Sequence, residues 1–173
     1  MILELRRYVV LAGYRRRSLL PAPCDAYLIY VFVGQKFLIA EDATWDGPEL
    51  DSGRLDFINS VGDWAQWTVS SDTAGTATIA FPYASTSNRP LELKVNGVVL
   101  DSSLAFPSTG SFSDYQLIQV EVPFVTGDNL IRITSIGHSG ANVAGLIVVT
   151  WPSTTTTTVT PTTTTGNSDV KRK

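Results

Sequence analysis

PLELKVNGVVLD, residues 90–101, decides the fold class. Leu91, Leu93 and Val95 alternate with Glu92 and Lys94, the period of two that sends successive side chains to opposite faces of a strand. Asn96-Gly97 follows, the dipeptide best able to adopt the two positive φ angles of a tight type I′ turn. VVLD then starts a return strand. A β-hairpin is expected here, its Leu/Val face turned toward a core.

The same grammar continues on both sides. TATIAFPYA (76–84) sets Ala77, Ile79, Phe81 and Tyr83 on one face and Thr76, Thr78 and Ala80 on the other, a half-buried strand. Before it, WAQWTVS (64–70) has strand composition and lies between the turn signals VGD (61–63) and DTAG (72–75). Trp64 and Trp67, three apart, point to opposite faces. Trp67, in phase with Val69, is expected in the core, and Trp64 over a sheet surface or an edge. YQLIQVEVPF (115–124), NLIRITSIG (129–137) and GLIVVTW (145–151) complete the set. Strands at intervals of roughly ten residues, with no helical period and no βαβ unit, predict an all-β fold. The expected form is an antiparallel β-sandwich, jelly-roll-like, over residues 37–151.

Charge is distributed unevenly. Residues 1–36 carry six basic against two acidic side chains, 37–150 four against thirteen, and 151–173 three against one. An acidic body between basic ends repels phosphate backbones, which excludes nucleic acid as its partner. Cys24 is the only cysteine, so neither an intrachain disulfide nor a cysteine-based zinc site can form. No apolar run reaches the roughly 18 residues that would mark a membrane span.

The flanks differ from the body. Residues 1–36 are expected to be a leader or anchor-like segment of uncertain order. Arg15, Arg16 and Arg17 interrupt its apolar character, and the run Ala26 to Val33 lies late, without a small-residue cleavage pattern beyond it. A start codon set too far upstream is the other reading. Residues 152–173, PSTTTTTVTPTTTTGNSDVKRK, are low in complexity; such Thr/Pro tracts cannot bury a core and serve as extended spacers in secreted proteins. An extracellular or cell-surface location is expected, and this linker is of the kind that would tether a catalytic domain.

AEDATW (40–45), DFINSVGDWAQWTV (56–69), DTAGTATIAFPYA (72–84), NRPLELKVNGVVLDSSLAFPSTGSFSDYQ (88–116) and GDNLIRITSIGHSGAN (127–142) together resemble, in order, the carbohydrate-binding modules of family 35 and its relative family 6. The resemblance spans Ile39 to Val149. It implies a two-sheet β-sandwich that binds polysaccharide without catalysis, usually attached to a glycoside hydrolase through a Thr/Pro/Ser linker. Sugars are held by aromatic faces against their C–H groups and by planar polar groups that bond their hydroxyls. The resemblance places such a site in loops at one end of the sandwich. Asn142 matches the family's last-loop asparagine and Phe112 its loop aromatic, with Tyr115 as a second ring. Asn88 and Arg89 sit in another loop, where an arginine fork suits an acidic sugar, and Trp45 is a further candidate platform.

Departures from the pattern carry expectations of their own. Between the ATW-like and DFIN-like strands only DGPELDSGR (46–54) intervenes, shorter than the family's loop by about ten residues, so one wall of the site is expected to be missing. The family's structural calcium finds Glu41 at one ligand position, but Ile39 and Ala144 where carboxylates stand. A hard cation needs roughly six to eight oxygens, so calcium binding is expected to be weak or lost. Enzyme readings find little: His138 is the single histidine, and Asp56, Asp63, Asp114 and Glu121 show no spacing that marks a glycosidase pair. The alternative to a glycan-binding module is a structural or adhesive sandwich on a Thr-rich stalk, its sugar site degraded.

Overall fold

The computed structural model describes residues 34–58, 60–137 and 139–153. The chain runs β1 (Lys36–Ile39), a single 3-10 turn (Ala40–Asp42), β2 (Thr44–Asp46), β3 (Glu49–Asp51), β4 (Arg54–Asp56), β5 (Trp64–Ser71), β6 (Gly75–Ala84), β7 (Leu91–Val95), β8 (Val98–Leu104), β9 (Gln116–Phe124), β10 (Gly127–Ser135), β11 (Asn142–Val143) and β12 (Gly145–Thr150). These strands form two antiparallel sheets. One has five strands in the order β2-β5-β10-β7-β8; the other has seven, in the order β1-β12-β6-β11-β4-β3, with β9 on the free side of β6. The sandwich read from alternation is the fold observed. Leader residues 1–33 and tail residues 154–173, with Cys24 and His138, lie outside the described residues.

The turn at Asn96-Gly97 forms as its residues require. Val95 pairs with Val98, and Asn96 and Gly97 take φ of 52° and 80°, the doubly left-handed geometry of a type I′ turn. A second such turn joins β3 and β4, where Ser52 and Gly53 take φ of 49° and 77° and Asp51 pairs with Arg54. The stretch DGPELDSGR, read from sequence as a short loop, is thus largely a hairpin at the margin of the seven-stranded sheet.

The core lies between the sheets. From the five-stranded sheet come Ala65, Trp67, Val69, Leu91, Leu93, Ile131 and Ile133; from the other come Leu55, Ile79, Phe81, Tyr83, Val122, Leu146 and Val148. Trp67 is fully buried, 6.1 Å centroid to centroid from Phe81 on the facing sheet. Its indole Nε1 donates to Ile39 O at 3.0 Å, so the one polar atom of the ring has a partner. Trp64 takes the opposite face of β5, as the odd spacing dictates.

Strand β6 departs from the half-buried expectation. Ala80, Pro82 and Ala84, on its outward face, are buried along with the inward set. Ala80 lies opposite Ile147 on one side and Gln119 on the other. On the central strand of a sheet, side chains this short are covered by their longer neighbours.

Candidate functional site

Register gathers five loops at one end of the sandwich. Thr134 faces Trp64, Ser135 faces Leu91, Leu91 faces Leu104, Tyr83 faces Gln116, and Asn142 stands between Ala84 and Asp56. The described loop residues near these positions, 47–48, 57–58 with 60–63, 85–90, 105–115 and 136–137 with 139–141, form the apex. Backbone hydrogen bonds tie them together: Gly62 N to Ser135 O, Ser135 N to Asp63 O, Thr109 N to Ser85 O, Arg89 N to Phe106 O and Gly140 N to Phe57 O, at 2.7–3.1 Å. Gly140 has to be glycine here, because a Cβ would lie 2.7 Å from Phe57 Cβ and 2.8 Å from Leu91 Cδ2.

Arg89 and Phe112 meet in this apex. The Arg89 guanidinium carbon stands 5.0 Å from the centroid of the Phe112 ring, within the range in which a cation is drawn to the ring's negative face. Nη1 donates to Gly140 O at 3.2 Å, which links the 85–90 loop to the 136–141 loop. No carboxylate of the described residues pairs with it. Asn88 is exposed beside it, and Tyr115 is half-buried at the end of the same loop as Phe112. Four of the sequence-derived candidates therefore share two neighbouring loops.

Asn142 lies elsewhere in detail. It opens β11, two residues after Gly140, and is only 2% exposed. With its amide oriented so that donors face acceptors, Nδ2 donates to Asp56 Oδ1 at 2.9 Å and Oδ1 accepts from Arg54 Nε at 3.2 Å. Arg54 Nη2 also reaches Asp51 Oδ2 at 2.6 Å. The asparagine thus closes a chain of charged side chains on the outward face of β4 and β11. Arg54 was not singled out from the sequence, although its place two residues before Asp56 on a strand puts both on one face.

Trp45 is not an open platform. It pairs with Ala65, a core residue, shares its inward face and packs against the core. Glu41 is exposed on the 3-10 turn, where Asp42 Oδ2 accepts from Ile39 N at 3.0 Å. Among the described residues no three His, Cys, Asp or Glu side chains converge, and Ile39 and Ala144 offer no side-chain oxygen. This donor set does not fit calcium, which takes about six to eight oxygens. Also among the described residues, no helix is long and apolar enough to cross a membrane. Asp56 is held by Asn142, while Asp114 and Glu121 are exposed on different segments.

Comparison with known proteins agrees with this architecture. The model of "Carbohydrate binding module (family 6)" matches residues 40–150. A family 35 carbohydrate-binding module of Clostridium thermocellum is 30% identical, with a TM-score of 0.64 over 67% of this chain and 98% of that one. An exo-β-D-glucosaminidase of Amycolatopsis orientalis is 33% identical over 115 residues, 60% of this chain but 11% of the enzyme. The same fold recurs, at 23% identity and a TM-score of 0.58 over 65% of this chain and 91% of the other, in Xyl-CBM35 solved with a glucuronic acid containing disaccharide.

Proposed function

From the premise that this chain belongs to the carbohydrate-binding modules of families 6 and 35, and is therefore a non-catalytic glycan-binding domain, we propose that its apex takes an acidic sugar of a polysaccharide. The observation that carries this reading is the Arg89 guanidinium, lying over Phe112 without an acid partner among the described residues of a strongly acidic body. A fork whose plane is already supported loses little freedom on gripping a carboxylate, and two parallel N–H···O bonds add geometric selectivity. Asn88 and Tyr115 bond the sugar hydroxyls. Asn142 holds Asp56 and Arg54 together on the adjoining strands β11 and β4.

In the whole protein the module holds a catalytic domain against its substrate. The association of relatives with glycoside hydrolases, of which the matched segment is a small part, supports this reading, and a Thr/Pro spacer is the connection it calls for. Action on external polysaccharide places the protein outside the cell.

Affinity electrophoresis against glucuronoxylan, carboxyl-reduced glucuronoxylan, mannan and galactan tests the proposal. Retardation by glucuronoxylan that disappears on carboxyl reduction is expected. The second reading, a structural sandwich with a lapsed sugar site, draws on the Asn142 amide already engaged within the protein; it gains if no polysaccharide retards the chain.

A further inference from the structure

The end of the sandwich away from the apex is closed by a network centred on two asparagine side chains. Asn96, the first of the two turn residues between β7 and β8, donates its backbone N–H to Leu130 O at 2.9 Å. Its side-chain Oδ1 accepts from Leu130 N at 2.8 Å, and Nδ2 donates to Asn129 Oδ1 at 3.0 Å. Asn129, fully buried, also accepts at Oδ1 from Val125 N at 2.8 Å and gives Nδ2 to the carbonyls of Val125, Gly127 and Val69 at 2.9–3.4 Å. Both lone pairs of its oxygen are spent, and its amide cannot turn over without losing these bonds.

Gly97 follows Asn96, and an asparagine before glycine carries the least shielded amide in a chain. Without a Cβ on the second residue, its backbone nitrogen can approach the asparagine Cγ unhindered. Here Gly97 is exposed, and nothing lies within 4 Å of the place a Cβ would take. The nucleophile is open to solvent, while the electrophile is the amide that β10 holds.

We infer that Asn96-Gly97 is a self-modification site that the fold keeps shut. In the reaction Gly97 N bonds to Asn96 Cγ, the Cγ–Nδ2 bond breaks, and Nδ2 leaves as ammonia with the Gly97 proton. Water then opens the cyclic imide at either carbonyl, leaving aspartate or, with the backbone rerouted through the side chain, isoaspartate. Attack makes Cγ tetrahedral and expels the nitrogen bonded to Asn129, so the bonds to Asn129 and Leu130 must open first. After conversion the end cannot close as before. In the aspartate product an oxygen stands where Nδ2 stood, acceptor against acceptor at Asn129 Oδ1, and isoaspartate adds a backbone carbon to a two-residue turn. Local opening is thus reversible until the amide is lost and irreversible afterwards, whatever the apex binds.

The test incubates the full chain in mildly alkaline buffer and follows Asn96 by peptide mapping and mass spectrometry, with isoaspartate told from aspartate by electron-transfer fragmentation. In urea sufficient to unfold the chain Asn96 should convert, and in the native chain conversion should be at least about tenfold slower, since only locally opened molecules react. Asn129→Ala should raise the rate in its folded state at least about threefold. Asn96→Asp, the α-linked product made directly, should melt several degrees below the parent. The inference is overturned if native and unfolded chains convert at the same rate, if neither converts, if folded Asn129→Ala converts no faster than the parent, or if Asn96→Asp melts with the parent. The urea comparison and Asn96→Asp decide the outcome even where Asn129→Ala does not fold.

Discussion

Two buried asparagines, one at each end of the sandwich, are bonded in opposite ways. Asn129 is fully buried at the end carrying the short turns. Its Nδ2 donates to the carbonyls of Val125, Gly127 and Val69, and its Oδ1 accepts from Val125 N and Asn96 Nδ2. Asn142, near the apex, bonds instead to the charged side chains Asp56 and Arg54. Asn129 substitutes for backbone that a turn leaves unpaired, binding the β7–β8 and β9–β10 turns and β5 into one end. Asn142 positions side chains. One end of the molecule is built for closure, and the other for presenting polar groups on a frame that is already closed.

Substitutions separate the two ends by size of effect. The frame they share comes first: Trp67→Ala removes the largest buried side chain and should cost roughly 3–5 kcal/mol in denaturant unfolding. Asn129→Ala strands several buried backbone groups, each worth about 1–3 kcal/mol, and should cost about 2–4 kcal/mol with glycan affinity unchanged in the folded fraction. Asn142→Ala should cost about 1–2 kcal/mol and also weaken glycan binding, because Arg54 and Asp56 lose their tie. Equal stability losses at Asn129 and Asn142, with binding untouched by both, would erase the distinction between the ends. Phe112→Ala should lie within about 1 kcal/mol of the parent in stability, being a partly exposed loop position, while lowering glycan affinity severalfold by withdrawing the support under Arg89.

How much of this was legible beforehand depended on the range of the interaction. The Asn96-Gly97 turn and the alternation of Leu91, Leu93 and Val95 are local, and they reported the hairpin directly. Trp67 could be placed in the core by its phase with Val69. The hairpin at Ser52-Gly53 was local too and went unread, because its flanking residues Glu49, Asp51, Arg54 and Asp56 lack an alternating apolar face. Outward burial on β6 depended on which strands flank it. Trp45 was open to either face until its pairing with Ala65 fixed it inward. Asn142 opens β11 beside the apex loops, and its partners lie 86 and 88 positions earlier in the chain. Asn96 meets Asn129 only because β7 and β10 are neighbours in one sheet, which no local pattern reveals.

Calorimetric titration of the chain with a glucuronic-acid-bearing xylo-oligosaccharide, beside Arg89→Ala, bears most directly on the apex. The parent should bind, and Arg89→Ala should bind at least about tenfold more weakly at an unchanged melting temperature. Equal affinity in both proteins, or equal affinity of the parent for the carboxyl-reduced oligosaccharide, would contradict the assignment of Arg89 to an acidic sugar.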